Sequence, residues 1–345
     1  MSDGTRVRRG GLHRAFGPAQ TRGGLDLEPD PSYDEADADP DEHLLDDDTE
    51  PDTEADSDEP DEPRAGFIRR HRALTVLVGT LCILLALVAG GAWYLNHQID
   101  QIPRIAIKIN GPRPAAPAGR SMNILLAGAD NGDSADTIAD AVAKGVWKPG
   151  SHRSDTIMVL HLTADRKHAY LISIPRDTYV SVDGYGKQKI NAAFSFGGPS
   201  LYVQTVEQFT QLRMQHLAII DWNGFKDLST ALGGVRVYVA QDSYDSVSGL
   251  TWKKGWQTVE GYQALLYVRQ RHGLPNGDFD RIARQQNFLR AALGQAKQKG
   301  NLANPVRFTS MMQAITRNLT VDAGLSTGDI RSLAWSLRGL KASDI

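Results

Sequence analysis

The sequence predicts an α/β protein: a mixed central β-sheet flanked by helices as an α/β/α sandwich, preceded by a disordered tail and one transmembrane helix. Three observations carry this. From residue 105 to the C-terminal end, short apolar β-branched runs alternate with helically spaced ones, the pattern of a layered α/β domain. Ala73 to Leu95 is a stretch of 23 residues without a charge, a membrane span in length. Residues 26–62 hold 20 Asp or Glu among Pro, Ala and Ser, with too little apolar surface to offset the entropy of folding.

These features divide the chain. Residues 1–72 are expected to be a disordered acidic cytoplasmic tail, 73–95 a transmembrane signal anchor, 96–119 a juxtamembrane strand and linker, and 120–345 an extracellular folded domain. Some seventy residues precede the apolar run, which fits an uncleaved anchor better than a signal peptide. Arg69, Arg70 and Arg72 flank it on the N-terminal side, which by the positive-inside rule leaves the tail in the cytoplasm. Residues 1–72 carry 9 Lys or Arg against 21 Asp or Glu, and residues 96–345 carry 29 against 20. The total of −3 therefore hides a basic folded part, which suits an anionic substrate or surface. Cys82, the only cysteine, lies in the apolar run, so an ordinary hydrophobic core must hold the rest.

The elements follow in order. Ile105–Ile109 reads as a short strand, Gly111–Gly119 as a connector, and Asn123–Ala127 as a strand covered on both faces that ends at Asp130. Residues 131–150 read as a polar insertion with one helix around Ile138–Val146. Thr156–Leu162 and Ala169–Ile174 form a hairpin, stopped by Pro175. A helix over Ser200–Leu212, a strand over Leu217–Trp222, a helix over Gly224–Leu232, a strand over Val235–Val239 and a helix over Tyr262–Tyr267 come next. Helices at 280–299, 305–319 and 327–340 close the chain.

Charges gather at the ends of these elements. If Tyr267–Arg271 is extended, Arg269 and Arg271 leave one face of the chain. Beyond the turn at Leu274-Pro275-Asn276-Gly277, Asp278 and Asp280 are placed to cap a helix on which Arg281, Arg284 and Gln285 share a face. So many cations aimed at one spot would repel each other without an anion, and bidentate arginine suits phosphate oxygens. The competing reading is a solvated helix flank, but such flanks alternate signs and this one has no Glu. Arg153 and Asp155 open one strand of the hairpin, and Arg176 and Asp177 follow the other, so the four meet at one sheet edge. Asp130 joins them if its strand runs beside and parallel to 169–174. This cluster admits two readings, a structural ion-pair network or a divalent cation held by carboxylates opposite an arginine-bound phosphate.

The sequence has no P-loop, no dinucleotide fingerprint, no nucleophile elbow and no zincin motif, and its histidines lack metal-ligand spacing. The runs Asn123-Ile-Leu-Leu-Ala-Gly-Ala-Asp130, Arg153-Ser-Asp155-Thr, Ile174-Pro-Arg176-Asp177-Thr, Lys189-Ile-Asn191-Ala-Ala-Phe, Val268-Arg269-Gln-Arg271 and Asp278-Phe-Asp-Arg281-Ile-Ala-Arg284-Gln285-Gln resemble the LytR-CpsA-Psr family in order and spacing. It departs from the family at Ala127 and Ala129 and in a longer connection after Asp130. The resemblance implies a metal-dependent phosphotransferase that moves a glycopolymer phosphate from a polyprenyl pyrophosphate carrier onto peptidoglycan. It implies Mg²⁺, or Mn²⁺ in its place, on Asp130 and Asp155, and pyrophosphate contacts from Arg153, Arg176, Arg269, Arg271, Arg281 and Gln285, with Asp278 and Arg284 in support. The catalytic candidates are Arg153, Arg176, Asp177, Arg269 and Arg271. The partners implied are the lipid-linked glycopolymer, peptidoglycan and the membrane, not nucleic acid. The carrier's prenyl chain needs an apolar slot, for which Phe194, Phe196, Leu201, Val206, Phe209, Phe225 and Leu228 are candidates against ordinary core packing. An anchored binder of lipid pyrophosphate or polyanion, with at most pyrophosphatase side activity, is the alternative function.

Overall fold

The computed structural model describes residues 72–130, 138–145, 147–298, 300, 303–341 and 344; residues 1–71 of the expected tail and 131–137 of the expected polar insertion lie outside them. Helix α1 (Arg72–Asp100) is 29 residues long, and its residues from Ala73 to Leu95 carry no charge. It is long and apolar enough to cross a membrane. Its last turn leaves the apolar run and docks on the fold: Ile99 and Ile102 are buried with Val321 and Leu325.

Strands β1 (Arg104–Ile105), β2 (Met122–Asp130), β3 (Arg153–Leu162), β4 (Ala169–Ser173), β7 (His216–Asp221) and β12 (Leu319–Asp322) build a six-stranded mixed sheet in the order β1-β12-β7-β2-β3-β4. β2 pairs parallel with β7 and antiparallel with β3. β3 and β4 form the expected hairpin. β3 therefore lies between β2 and β4, where the sequence reading placed those two strands side by side; Asp130 still reaches the same edge because it pairs in register with Arg153.

One face of the sheet is covered by α3 (Ile190–Thr210), after a two-stranded ribbon of β5 (Tyr179–Val182) and β6 (Gly186–Lys189). α3 begins ten residues before the expected helix and bends at Gly198, whose φ of 68° only glycine adopts readily, ahead of Pro199. Phe194, Tyr202, Val203 and Val206 pack there against Leu125, Ala127, Ile157 and Leu217. The short helix α2 (Ile138–Ala143) adds Ile138 to this layer; Val146, its expected end, is outside the described residues.

The other face carries α4 (Trp222–Ala231), α5 (Gly261–Arg269), α6 (Asp278–Ala296) and α7 (Pro305–Asn318), with β8 (Val235–Val239) paired to β11 (Gly255–Val259) and a small ribbon of β9 (Ser243–Asp245) and β10 (Leu250–Trp252). Their core is Val235, Val237, Val259, Ala264, Tyr267 and Phe288. α8 (Thr327–Leu337) closes the chain and starts with a capping box between Ser326 and Asp329. Residues before β2 are tied in as well. Ile105 is in the core, Ile107 and Ile109 pack on it, and Arg113 makes a two-pronged ion pair with the buried Glu207, Nε to Oε2 at 2.8 Å and Nη2 to Oε1 at 2.6 Å.

Candidate active site

The site lies where β2, β3 and β7 end and the helical layer leaves the sheet uncovered. Between them is a cavity of about 370 Å³. Its walls are apolar: Leu126, Met158 and Ile220 from the sheet, Phe225 and Leu228 from α4, Leu265 from α5, and Phe288 and Leu289 from α6. Gly128 and Thr156 form part of the floor, and a Cβ on Gly128 would come within 2.9 Å of the Thr156 Cβ. The pairing of β2 and β3 slips between Gly128 and Ala129, a bulge that re-aims the strand end bearing Asp130.

At the mouth stand Arg176, Arg269, Arg271 and Arg281. Each arrives by a different route. Arg176 follows β4 past Pro175, and its Nη1 donates to Asp155 Oδ1 at 2.6 Å. Arg269 is the last residue of α5, its guanidinium 3.7 Å from the centre of the Trp222 ring, a cation–π contact that fixes the side chain while leaving its N–H edge open. Arg271 lies in the loop after α5 with Nε 3.3 Å from Asp278 Oδ1. Arg281, on the first turn of α6, is buried and places Nη2 2.8 Å from the same oxygen. Tyr267–Arg271 is thus not a strand: α5 runs through Arg269 because its apolar residues pack on the helical core, and Gln270 turns the chain outward.

The electrostatics are those of a crowded cation site. Burial above all, and then the like charges of Arg176 and Arg271, push the Arg281 pKa below its ordinary value against the pull of Asp278 and Asp155. For Arg176 burial also opposes the charge, but Asp155, by charge and hydrogen bond, with Asp177 and Asp278, outweighs it and raises the pKa. The Nε–H groups of both arginines are buried with no hydrogen-bond partner among the described residues, a costly state that an anion's oxygens would relieve. Asp177 accepts from Lys189 Nζ at 2.7 Å. That hydrogen bond, and next the charges of Lys189, Arg176 and Arg271, hold its pKa below the usual carboxylate range.

A second, polar recess of about 290 Å³ opens beside the first and shares Asp155 and Arg176 with it; Arg153, Asp177, Lys189 and Asn191 complete it. The structure therefore brings Arg153, Asp155, Arg176, Asp177, Arg269, Arg271, Asp278, Arg281 and Gln285 to one region, with Asp130 in register opposite Arg153. It does not bring Arg284. That side chain turns away to donate to Gln270 Oε1 at 2.6 Å and Ser243 Oγ at 2.8 Å, which braces the loop carrying Arg271. Nor do the acidic residues cap α6 as expected: Gly277, at φ 52°, is the N-cap. Asp280 instead accepts from the Asn276 backbone at 2.8 Å, and Asp278 is left to the arginines.

Of the apolar candidates, Phe225 and Leu228 line the cavity. Phe194, Leu201 and Val206 belong to the core on the opposite face, Phe196 lines the polar recess and Phe209 is exposed. The sequence reading missed Trp222, Leu265, Phe288 and Leu289. Trp222 had a signal, an aromatic directly after Asp221 at a strand's end; the others were visible only as helix-face positions.

The model of the LytR_cpsA_psr family matches residues 96–345. The chain belongs to the LytR-CpsA-Psr family. Among relatives, the probable cell wall biosynthesis protein LcpB of Corynebacterium glutamicum is 35% identical over 267 residues, covering 77% of this chain and 62% of that protein. The chain thus spans about three fifths of the length of this relative and, at 59%, of its companion LcpA. The polyisoprenyl-teichoic acid–peptidoglycan teichoic acid transferase TagU of Enterococcus faecalis is 30% identical, covering 77% of this chain and 84% of that one. The crystal structure of Bacillus subtilis TagV superposes with a TM-score of 0.52 at 28% identity, over 66% of this chain and 84% of that one. TagT bound to LIIa-WTA gives 0.50 at 25%, over 68% and 82%. Among the described residues no three His, Cys, Asp or Glu side chains converge as a metal cluster.

Proposed function

We propose that this LytR-CpsA-Psr protein is a phosphotransferase that moves a glycopolymer phosphate from a polyprenyl pyrophosphate carrier onto peptidoglycan, outside the membrane that α1 crosses, with the N-terminal tail in the cytoplasm. One observation carries the reading: an apolar chamber opens directly onto four arginines, which matches a single ligand with a greasy tail and a polyanionic head. The transferase activities named for TagU and its relatives support it. In this reading the prenyl chain occupies the chamber, and Arg176, Arg269, Arg271 and Arg281 hold the pyrophosphate with Gln285. The polar recess beside Arg153, Asp177 and Lys189 receives the groups on the far side of the phosphate.

Phosphoryl transfer asks the protein for positioning and charge stabilisation more than for covalent help. An acceptor hydroxyl attacks the phosphorus on the sugar side, and polyprenyl phosphate leaves with the bridging oxygen. The arginines neutralise the charge that gathers on that oxygen. Asp130, in register with Arg153, and Asp155, between the two recesses, are the carboxylates that would hold a Mg²⁺ ion; such an ion would supply Lewis-acid stabilisation of the phosphate oxygens. The test is transfer by the purified full chain from a polyprenyl-pyrophosphate-linked oligosaccharide to peptidoglycan. Polymer attached to the wall fragment with release of polyprenyl phosphate supports the reading. Tight donor binding with no transfer under any metal would replace it with the binding-protein alternative.

A further inference from the structure

We propose that α8 is a membrane-surface helix, its outer stripe seated among anionic phospholipid headgroups beside the exit of α1. The inference goes beyond the transfer reaction and rests on α1 crossing the membrane. α8 has two faces. Ile330, Leu333 and Leu337 pack inward on the sheet's end, and Arg331, Trp335 and Arg338, spaced i, i+4 and i+7, are exposed on the other side. Trp335 is 70% exposed, an apolar indole that gains nothing from water. The Arg338 guanidinium lies 3.1 Å from its ring centre.

What covers this stripe follows from where it is held. The apolar run of α1 ends at Leu95, and the next residue, Asn96, accepts from Arg331 Nη1 at 3.0 Å. Asp100 of α1 bonds Thr327 at the start of α8, and Arg104 donates to Thr327 Oγ1 at 2.9 Å. One end of the stripe is thereby fixed at the point where the span leaves the hydrocarbon. Trp335 is one turn further, about 6 Å along α8, and the interfacial layer is itself about 5–8 Å deep on each side. Trp93, 68% exposed, stands on α1 three residues before Asn96. Tryptophan flanked by arginines is the composition that this layer favours.

The charges agree. Asp329, the one acidic residue within α8, is spent in the capping box with Ser326, and the stripe carries only cations. Lys297, the C-cap of α6, donates to the carbonyls of Leu337 and Leu340, pinning the far end of α8 to the wall of helices that encloses the cavity. Ala218 and Leu319 line that cavity and also pack around Ile99 and Ile102 at the end of α1. Seating α8 would therefore fix the apolar end of the chamber close to the bilayer.

The full-length protein in nanodiscs tests this, using phosphatidylglycerol mixed with a phosphatidylcholine brominated near the top of its acyl chains. Subtracting the fluorescence of Trp335→Phe from that of the unaltered chain isolates Trp335, and Trp93→Phe isolates Trp93. Both side chains are exposed, so neither change should disturb the fold, which melting curves would verify. The expected result is quenching of both by the brominated lipid, with the quenching of Trp335 weakened when phosphatidylglycerol is omitted or when Arg338 is changed to Gln. Trp93 quenched while Trp335 stays bright and open to aqueous iodide would overturn the proposal and leave the span standing. Neither quenched would remove the span and the proposal together. Trp335 quenched equally with and without anionic lipid would overturn the pairing of this stripe with anionic headgroups.

Discussion

If the chamber holds a prenyl chain, affinity should rise with chain length until the chamber is full and then level off. The magnitude follows from its size. At roughly the 30 Å³ a water molecule occupies in the liquid per carbon, one isoprene unit takes about 150 Å³, so a cavity of about 370 Å³ holds about two to three units. Burying five carbons contributes about 4 kcal/mol gross at ~0.8 per methylene, and ordering the chain cuts this to about 2, or about thirtyfold in Kd per unit. Geranyl, farnesyl and geranylgeranyl pyrophosphates, titrated calorimetrically into the full chain in nanodiscs with empty discs as the blank, should step upward and then level. Ala292, which lines the cavity from α6, gives the control: Ala292→Phe adds a ring of about one isoprene unit in volume and should bring the plateau one unit sooner. Affinity independent of chain length, or a plateau unmoved by the ring, would refute the assignment of this cavity to the carrier's tail.

Three further outcomes follow. Asp130→Ala should lower turnover and weaken its dependence on added Mg²⁺ while the melting temperature holds, since a strand-end carboxylate carries little core packing; full activity with unchanged metal dependence would remove Asp130 from the site. Gly273→Ala should cripple activity, because Gly273 has φ +73° and a Cβ there would meet the Tyr244 carbonyl oxygen at 1.9 Å, forcing the loop that carries Arg271 to move; unchanged kinetics would show that the loop's position is immaterial. Arg113→Ala should cost about 3 kcal/mol in urea unfolding, because it strands the buried Glu207 carboxylate, and a loss below about 1 kcal/mol would mean that this link between residue 113 and α3 is dispensable.

Much of the fold was legible because it is written in periodicity. The β3–β4 hairpin, β7, α4, β8 and α7 stand where alternation or helical spacing put them. β6 was missed because Gly186, Lys187, Gln188 and Lys189 give no apolar alternation, and β5 because its alternation of buried Val180 and Val182 with exposed Tyr179 and Ser181 lasts only four residues. β12 was missed because Leu319–Asp322 is too short to show an alternation, and only Leu319 fell inside the helix expected over 305–319. At the site, residue type was legible and direction was not. Arg281, Arg284 and Gln285 share a helical stripe in sequence, yet Tyr267, Gln270 and Ser243 draw Arg284 to the other side. The chamber was legible only in part: Phe225 and Leu228 stood among the candidates and line it, but an apolar residue lining a void has the same spacing as one packed in a core, so Leu265, Phe288 and Leu289 were not told apart from core positions.

In the proposed reaction the arginines at the mouth serve a phosphate rather than the fold. Arg271→Lys examines this most directly, with melting temperature and single-turnover transfer from a polyprenyl pyrophosphate donor measured on the same preparation. Lysine keeps the charge beside Asp278 and loses the planar fork. Transfer should fall on the order of a hundred- to a thousandfold, the cost of about 2.7 to 4 kcal/mol for one charge-stabilising contact made in the transition state, with the melting temperature nearly unchanged. A variant that melts early and still transfers at the full rate would contradict the claim and return the cluster to a structural role.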